Sequence, residues 1–182
     1  MSSHLATFFE KDIFPNSPYP KSERYMERPT VKAVVFDADG KIAIVGKGVH
    51  HFFTLPGGGI DEGESDEQAV LRECREEVGC DVVITGKVGM IDDYRDRDSK
   101  HTVTYCFVAR VIGAKRPPES TDEEKELGFF VCWLPAEEAL AVIQENVREL
   151  REKNGDIGHY NVGFNIVRDE IFLEKWFKTN DL

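Results

Sequence analysis

A run of three glycines followed by a dense block of carboxylates constrains this chain more than any other feature. Gly57, Gly58 and Gly59 stand together, and residues 61–77 then hold eight Asp or Glu against two Arg, so this stretch carries −6 of a formal net charge of −11. Consecutive glycines let the backbone turn tightly and come close to a ligand. The segment after them is bounded as a helix: Ser65 suits an N-cap, Asp66 and Glu67 suit the positive end of the helix dipole, and Gly79 suits the stop. A helix is therefore expected from Ser65 to Val78. At about 100° per residue, with Glu73 at zero, Glu77 falls near 40° and Glu76 near −60°. The three carboxylates share one edge, beside a core-facing stripe of Val70, Leu71, Cys74 and Val78. Arg72 and Arg75 fall on other faces in the same projection. Like charges at this spacing repel. An uncompensated row of hard oxygen donors suits magnesium or manganese better than zinc, the alternative being a solvated charged face.

The surrounding text is that of a single globular domain. The chain has 182 residues, 41% hydrophobic and 31% charged, which fits one folded domain with an extension and excludes a disordered chain. No apolar run nears the ~20 residues of a membrane span, and the N-terminus lacks the pattern of a secretory signal. The acidic balance argues against non-specific nucleic-acid binding, which needs clustered Lys and Arg. Cys74, Cys80, Cys106 and Cys132 are dispersed among apolar neighbours and read as buried free thiols in a reducing, cytoplasmic setting.

Residues 1–29, with Pro15, Pro18, Pro20 and Pro29, read as an extension that packs on the domain or reaches a partner, and residues 30–182 as the domain with its C-terminal helices. Strands are expected at Val31 to Phe36, Lys41 to Val45, Phe52 to Leu55, Val82 to Ile84, Lys87 to Ile91, His101 to Ile112 and Phe129 to Leu134. Asp37-x-Asp39-Gly40 reads as a turn rather than a calcium loop, and Asp92 to Lys100 as a charged loop. Helical spacing recurs from Ala136 to Lys153 and from Ile166 to Phe177. The sum is α/β: an α/β/α sandwich with a mixed β-sheet.

Residues 58–80, GGIDEGESDEQAVLRECREEVGC, resemble the Nudix box. Gly58, Glu64, Arg72, Glu73, Glu76, Glu77 and Gly79 fall on its fixed positions, while Cys74 and Cys80 stand where the family usually has an aliphatic residue. Leu55-Pro56-Gly57 before the box and Trp133-Leu134-Pro135 after it are also similar to the family. The resemblance implies a sandwich-fold pyrophosphohydrolase for a nucleoside diphosphate linked to another moiety. It implies Mg²⁺, with Mn²⁺ as a substitute, on Glu73, Glu76 and Glu77, with the Gly57 carbonyl as a further ligand. Arg72 would orient the glutamates and pair with Glu64. Divalent ions neutralise a diphosphate and lower the pKa of a bound water, whose proton Glu73 or Glu76 would take. Glu123, Glu124 or Glu126 are the alternative source of the base.

Gly57, Gly58, Lys47 and Tyr94 are the candidates for touching substrate. His50 and His51 lie near the glycines without the spacing of a zinc pair. Tyr105, Phe53 and Phe129 default to core packing, and Tyr160, Asn161 and Asn165 are outside candidates for the pocket lining. Downstream of the box no proline stands at the spacing the family associates with ADP-ribose, and Tyr94 lies close to, though slightly before, the spacing associated with diadenosine polyphosphates. The expected substrate is thus a small nucleoside triphosphate or dinucleotide, ahead of ADP-ribose or a nucleotide sugar. No nucleic-acid or membrane partner is expected, and a homodimer is left open. The competing class is a non-catalytic nucleotide-sensing module. Because such modules commonly lose box glutamates and this chain keeps them, the enzyme is the favoured reading.

Overall fold

The structure, a computed structural model, describes residues 3–47, 52–119 and 128–180. Seven strands form one mixed sheet. In chain order they are β1 (His4–Phe9), β2 (Met26–Phe36), β3 (Ile42–Lys47), β4 (Phe52–Thr54), β5 (Asp81–Arg95), β6 (Lys100–Ile112) and β7 (Phe129–Leu134). The path across the sheet is β1-β5-β6-β2-β3-β4, with β7 along β3. Pairs β1/β5 and β2/β6 are parallel and the others antiparallel. The helices are α1 (Glu10–Ile13), α2 (Asp66–Glu73), α3 (Ala136–Glu152) and α4 (Tyr160–Thr179). The turn between β2 and β3 closes as the sequence suggests. The Asp37 carboxylate accepts the Asp39 and Lys41 amides at 3.0 and 2.8 Å, and Gly40 takes φ 78°.

Strand periodicity divides the sheet's side chains between two helical layers. On β2, Val31, Ala33 and Val35 pack with Ala69, Val70, Cys74 and Val78 from the box segment. Val34 and Phe36 pack on the opposite face with Ala139 and Ile143 of α3 and Phe172 and Leu173 of α4. Each large side chain fully removed from water here contributes roughly 1.5–3 kcal/mol. A third cluster, including Ile13, Phe52, Val147 and Phe164, ties α1 to α3 and α4. No helix among the described residues is long and apolar enough to cross a membrane.

Several elements differ from the sequence expectation: β2 begins already at Met26, within the expected extension, and α4 at Tyr160 rather than Ile166. Residues 4–9 form a strand that pairs parallel with β5, His4 opposite Met90 and Phe9 opposite Tyr94; Gly89 leaves the space that Leu5 fills. The two short strands expected around residues 82–91 are one long β5 with register irregularities at Gly86 and Gly89. That strand continues to Arg95 because its charges find partners. Asp93 binds Arg95 at 2.6 Å and Arg168 at 3.2 Å, and Asp92 binds His4 at 2.8 Å and His101 at 3.0 Å. All four cysteines are free, but Cys132 is only half-buried.

Candidate active site

The box helix is capped as its sequence dictates. The Ser65 hydroxyl accepts the Gln68 amide at 3.1 Å, and the Gln68 side chain returns to the Ser65 amide at 2.9 Å. The helix does not stay α to Val78. From Cys74 to Val78 it widens into a π turn, closed by Gly79 at φ 71°. A methyl on Gly79 would collide with the Arg116 carbonyl, so glycine is required twice over. Glu73 ends the α segment, while Glu76 and Glu77 lie in the wider turn, so the uniform projection misplaces the carboxylates relative to one another. Such turns recur at functional sites.

Arg72 is the second correction. The wheel sends it to another face, yet its long stem brings the guanidinium back among the carboxylates. It donates to both Glu64 oxygens at 3.0 Å, to Glu73 at 2.7 Å, to Glu76 at 3.0 Å and to the Gly59 carbonyl at 2.8 Å. Arg72 holds the Glu64 carboxyl below its ordinary value, outweighing burial. At Glu73 burial wins: the carboxyl is pushed up, with Glu76 adding to the push, despite the bonds from Arg72 and the charge of Lys32.

The glycine run completes the free edge of β2. The Val31 amide donates to Gly58 at 2.9 Å, Ala33 to Pro56 at 3.0 Å, and Ile60 returns a bond to Pro29 at 3.1 Å. Gly57, at φ 135°, lies so close to Val31 that a side chain has no room. Its amide donates to Glu77 at 2.7 Å. A methyl on Gly58 would strike the Glu73 carboxylate. Leu55, just before the run, is held at both ends: Asp169 of α4 accepts its amide at 2.8 Å, and the Lys32 ammonium reaches its carbonyl at 2.6 Å. Burial pushes the Asp169 carboxyl up, against the opposing pull of Lys32, Arg168 and that amide.

Gly57, Gly58 and Gly59 also wall a cavity of about 300 Å³. Its floor is the sheet: Arg28, Thr30 and Lys32 from β2, Arg95 from β5, and Lys100 and Thr102 from β6. Asn161, Asn165 and Arg168, at steps of four and three on α4, form the facing wall. Five basic side chains and no carboxylate line it. Sequence reasoning missed all five. The available signal was the period-two run of polar residues along strands that needed a buried face, matched by the polar stripe on α4.

Glu64, Arg72, Glu73, Glu76, Glu77, Gly57 and Gly58 thus come together, and Asn161 and Asn165 reach the adjoining cavity. Tyr94 does not. It lies on the opposite face of β5, stacked on His101 at 4.3 Å and on Phe9 at 5.2 Å with Tyr25 edge-on, because successive strand residues alternate sides. Tyr160 turns away to bond Glu10. Tyr105 packs on the core beneath α2, and Phe53 packs edge-on against Phe130. Lys47 ends β3 opposite Phe52 and Phe129. Among the sequence candidates, His50, His51, Glu123, Glu124 and Glu126 lie outside the described residues.

The donor set suits a hard divalent cation chemically, since Glu73, Glu76 and Glu77 all offer carboxylate oxygens. In their present arrangement Arg72 bridges Glu73 and Glu76, while Glu77 accepts the Gly57 amide. Among the described residues no three metal-ligating side chains gather around a common point.

A family model described as the NUDIX domain matches residues 26–154. The chain belongs to the Nudix family. As a Nudix pyrophosphohydrolase it acts on phosphoanhydride bonds. It is 29% identical over 126 residues to an ADP-ribose pyrophosphatase of Methanocaldococcus jannaschii, covering 67% of this chain and 73% of that one. It is 44% identical over 118 residues to an RNA pyrophosphohydrolase of Photobacterium profundum, covering 64% of this chain and 62% of that one. A solved Nudix hydrolase from Nitrosomonas europaea shares the fold at a TM-score of 0.53 and 24% identity, over 64% of this chain and 78% of that one. The α/β sandwich expected from the sequence is the family's fold, and Nudix enzymes typically use a divalent metal.

Proposed function

We propose that this Nudix chain hydrolyses a phosphoanhydride bond in a nucleotide at the seam between the box carboxylates and the cationic cavity. The observation that carries this reading is the shared wall. Gly57, Gly58 and Gly59 line the cavity on one side and meet Glu73 and Glu77 on the other. A polyphosphate laid across them has its anionic tail toward basic side chains and its scissile bond toward the glutamates. Glu73, Glu76 and Glu77, with the Gly57 carbonyl, are the ligands we assign to Mg²⁺ or Mn²⁺. When bound, such an ion neutralises phosphate oxygens and acidifies a coordinated water.

The chain's own residues supply the rest. Arg72 fixes the orientations of Glu64, Glu73 and Glu76 through four hydrogen bonds. Glu73 or Glu76 takes the proton of the attacking water. Lys32 and Asp169 hold Leu55, and so the start of the glycine run, in place.

The relatives favour no single substrate: one is named for ADP-ribose and another for RNA. The acidic net charge that argued against RNA is an average over the chain and misses the basic cavity within it. Turnover of a nucleotide panel with Mg²⁺ and product identification tests the reading. Hydrolysis lost on Glu76→Gln with the fold intact supports it; binding without turnover in the wild-type protein returns it to a sensing module. Four free thiols are what supports placing the chain in a reducing compartment such as the cytoplasm.

A further inference from the structure

The family match ends at residue 154, but the cavity does not. Its far wall is α4, which begins at Tyr160. Three of its basic side chains are buried: Lys32 at 6%, Arg95 at 6% and Arg168 at 3% exposure. Behind them lie the buried carboxylates Asp93 and Asp169, and the charge of Lys32 also reaches Glu73. With Arg28 and Lys100, the latter 4.0 Å from Asp98, five bases turn toward the cavity, while none of the acids that offset them lines it. Buried bases that share one cavity, with their acids on the other side, are costly to keep there unless something anionic meets them. The Arg168 Nε is moreover buried without an acceptor among the described residues, although its other nitrogens bind Asp93, Thr104 and Asn165.

The lining also says what the occupant is not. Among the described residues it contains no aromatic ring on which a nucleobase could stack. Its volume of about 300 Å³ stands at the small end of ligand pockets, which run to ~1,000 Å³. A fully charged phosphate fits these features better than a base or a neutral sugar, because guanidinium and ammonium donors match phosphate oxygens.

From this we infer that α4 turns the cavity into a subsite for a third phosphate, one lying beyond the two that flank the broken bond. The preferred substrate then carries a 5′-triphosphate or longer tail, in contrast to a nucleoside diphosphate that ends in an uncharged sugar. This rests on the proposed hydrolase reading.

Two measurements test it separately from that reading. The first is calorimetric titration of the full chain with inorganic tripolyphosphate in EDTA. Wild type should bind, and Lys100→Gln and Asn165→Asp should each weaken binding at least tenfold. Asn165→Asp keeps the acceptor that Arg168 uses while adding a like-signed charge toward the anion. The second is the ratio of kcat/KM for a nucleoside triphosphate to that for ADP-ribose, which should fall at least tenfold in both variants. General damage to the fold would lower both substrates alike and leave the ratio unmoved.

No tripolyphosphate binding by the wild type, or equal binding by the variants, overturns the subsite. Weakened binding with an unchanged ratio overturns its assignment to substrate and leaves a site for a free anion. Wild type that binds tripolyphosphate but turns over neither nucleotide overturns the hydrolase reading and the substrate assignment with it, while the titration still establishes the anion site.

Discussion

The two halves of the site are built in opposite ways. The carboxylate half comes from one continuous stretch, Glu64 to Glu77, drawn together by a single arginine. The cationic half is assembled from β2, β5, β6 and α4, whose contributors run from Arg28 to Arg168 along the chain. Acids gathered by local sequence can be rearranged by one partner, as Arg72 does. Bases gathered by tertiary structure depend on the sheet register and on a helix docking against it. The first half carries the chemistry shared with a family; the second is where one member can differ from another.

That contrast breaks most visibly at Glu76. Glu76→Gln should lower turnover by about 10²–10⁴-fold, the usual cost of losing a general base, while the melting temperature stays within a few degrees. Loss of folding instead would make the local half structural. Next comes the clamp that joins the halves. Asp169→Ala strips the acceptor from the Leu55 amide and the nearest carboxylate from Lys32, 3.9 Å away. It should cost about 3 kcal/mol in denaturant titration. A cost near zero would show that α4 does not hold the glycine run.

The carboxylate half was legible because its parts are consecutive and a cap, a spacing and a stop are all sequence features. The π turn was not, since Cys74 to Val78 carry no residue that forbids an ordinary α turn. The Arg72 bonds escaped the wheel because a wheel places Cα positions, and a guanidinium on a long stem can swing round the helix edge. The cavity needed the pairing of Arg95 with Lys100 and of Arg28 with Thr102, and register between distant strands is not written in any one of them. Tyr94 was misassigned for the same reason: its spacing from the box came only close, and the face it occupies depends on strand parity.

Smaller effects sharpen the comparison. Gly79→Ala should destabilise by about 2 kcal/mol, through strain at positive φ and collision with the Arg116 carbonyl. Thermal melting would read it, and a neutral result would mean the π turn can end another way. The smallest effect concerns Asp92, on the face of β5 opposite the cationic half. Burial would raise its carboxyl, but bonds from His4, His101 and Thr7 prevail and hold it below the ordinary 3.8. A carboxyl lowered on folding stabilises the fold above its unfolded value, and the benefit disappears as pH falls through the lower folded value. Asp92→Asn should therefore cost about 1 kcal/mol at pH 7, and its melting curve should converge on that of wild type in strong acid. A gap that persists in acid would assign the loss to packing.

The parallel pairing of β1 with β5 has a kinetic corollary. His4 must find Met90, so this edge closes a loop far longer than any hairpin in the sheet, and long loops are closed late. The N-terminal strand is expected to dock late, as is β7 on β3, whose partners Ile42 and Leu134 stand as far apart. It should also be the first to exchange its amide hydrogens, fraying from the native state while β2 and β6 stay protected.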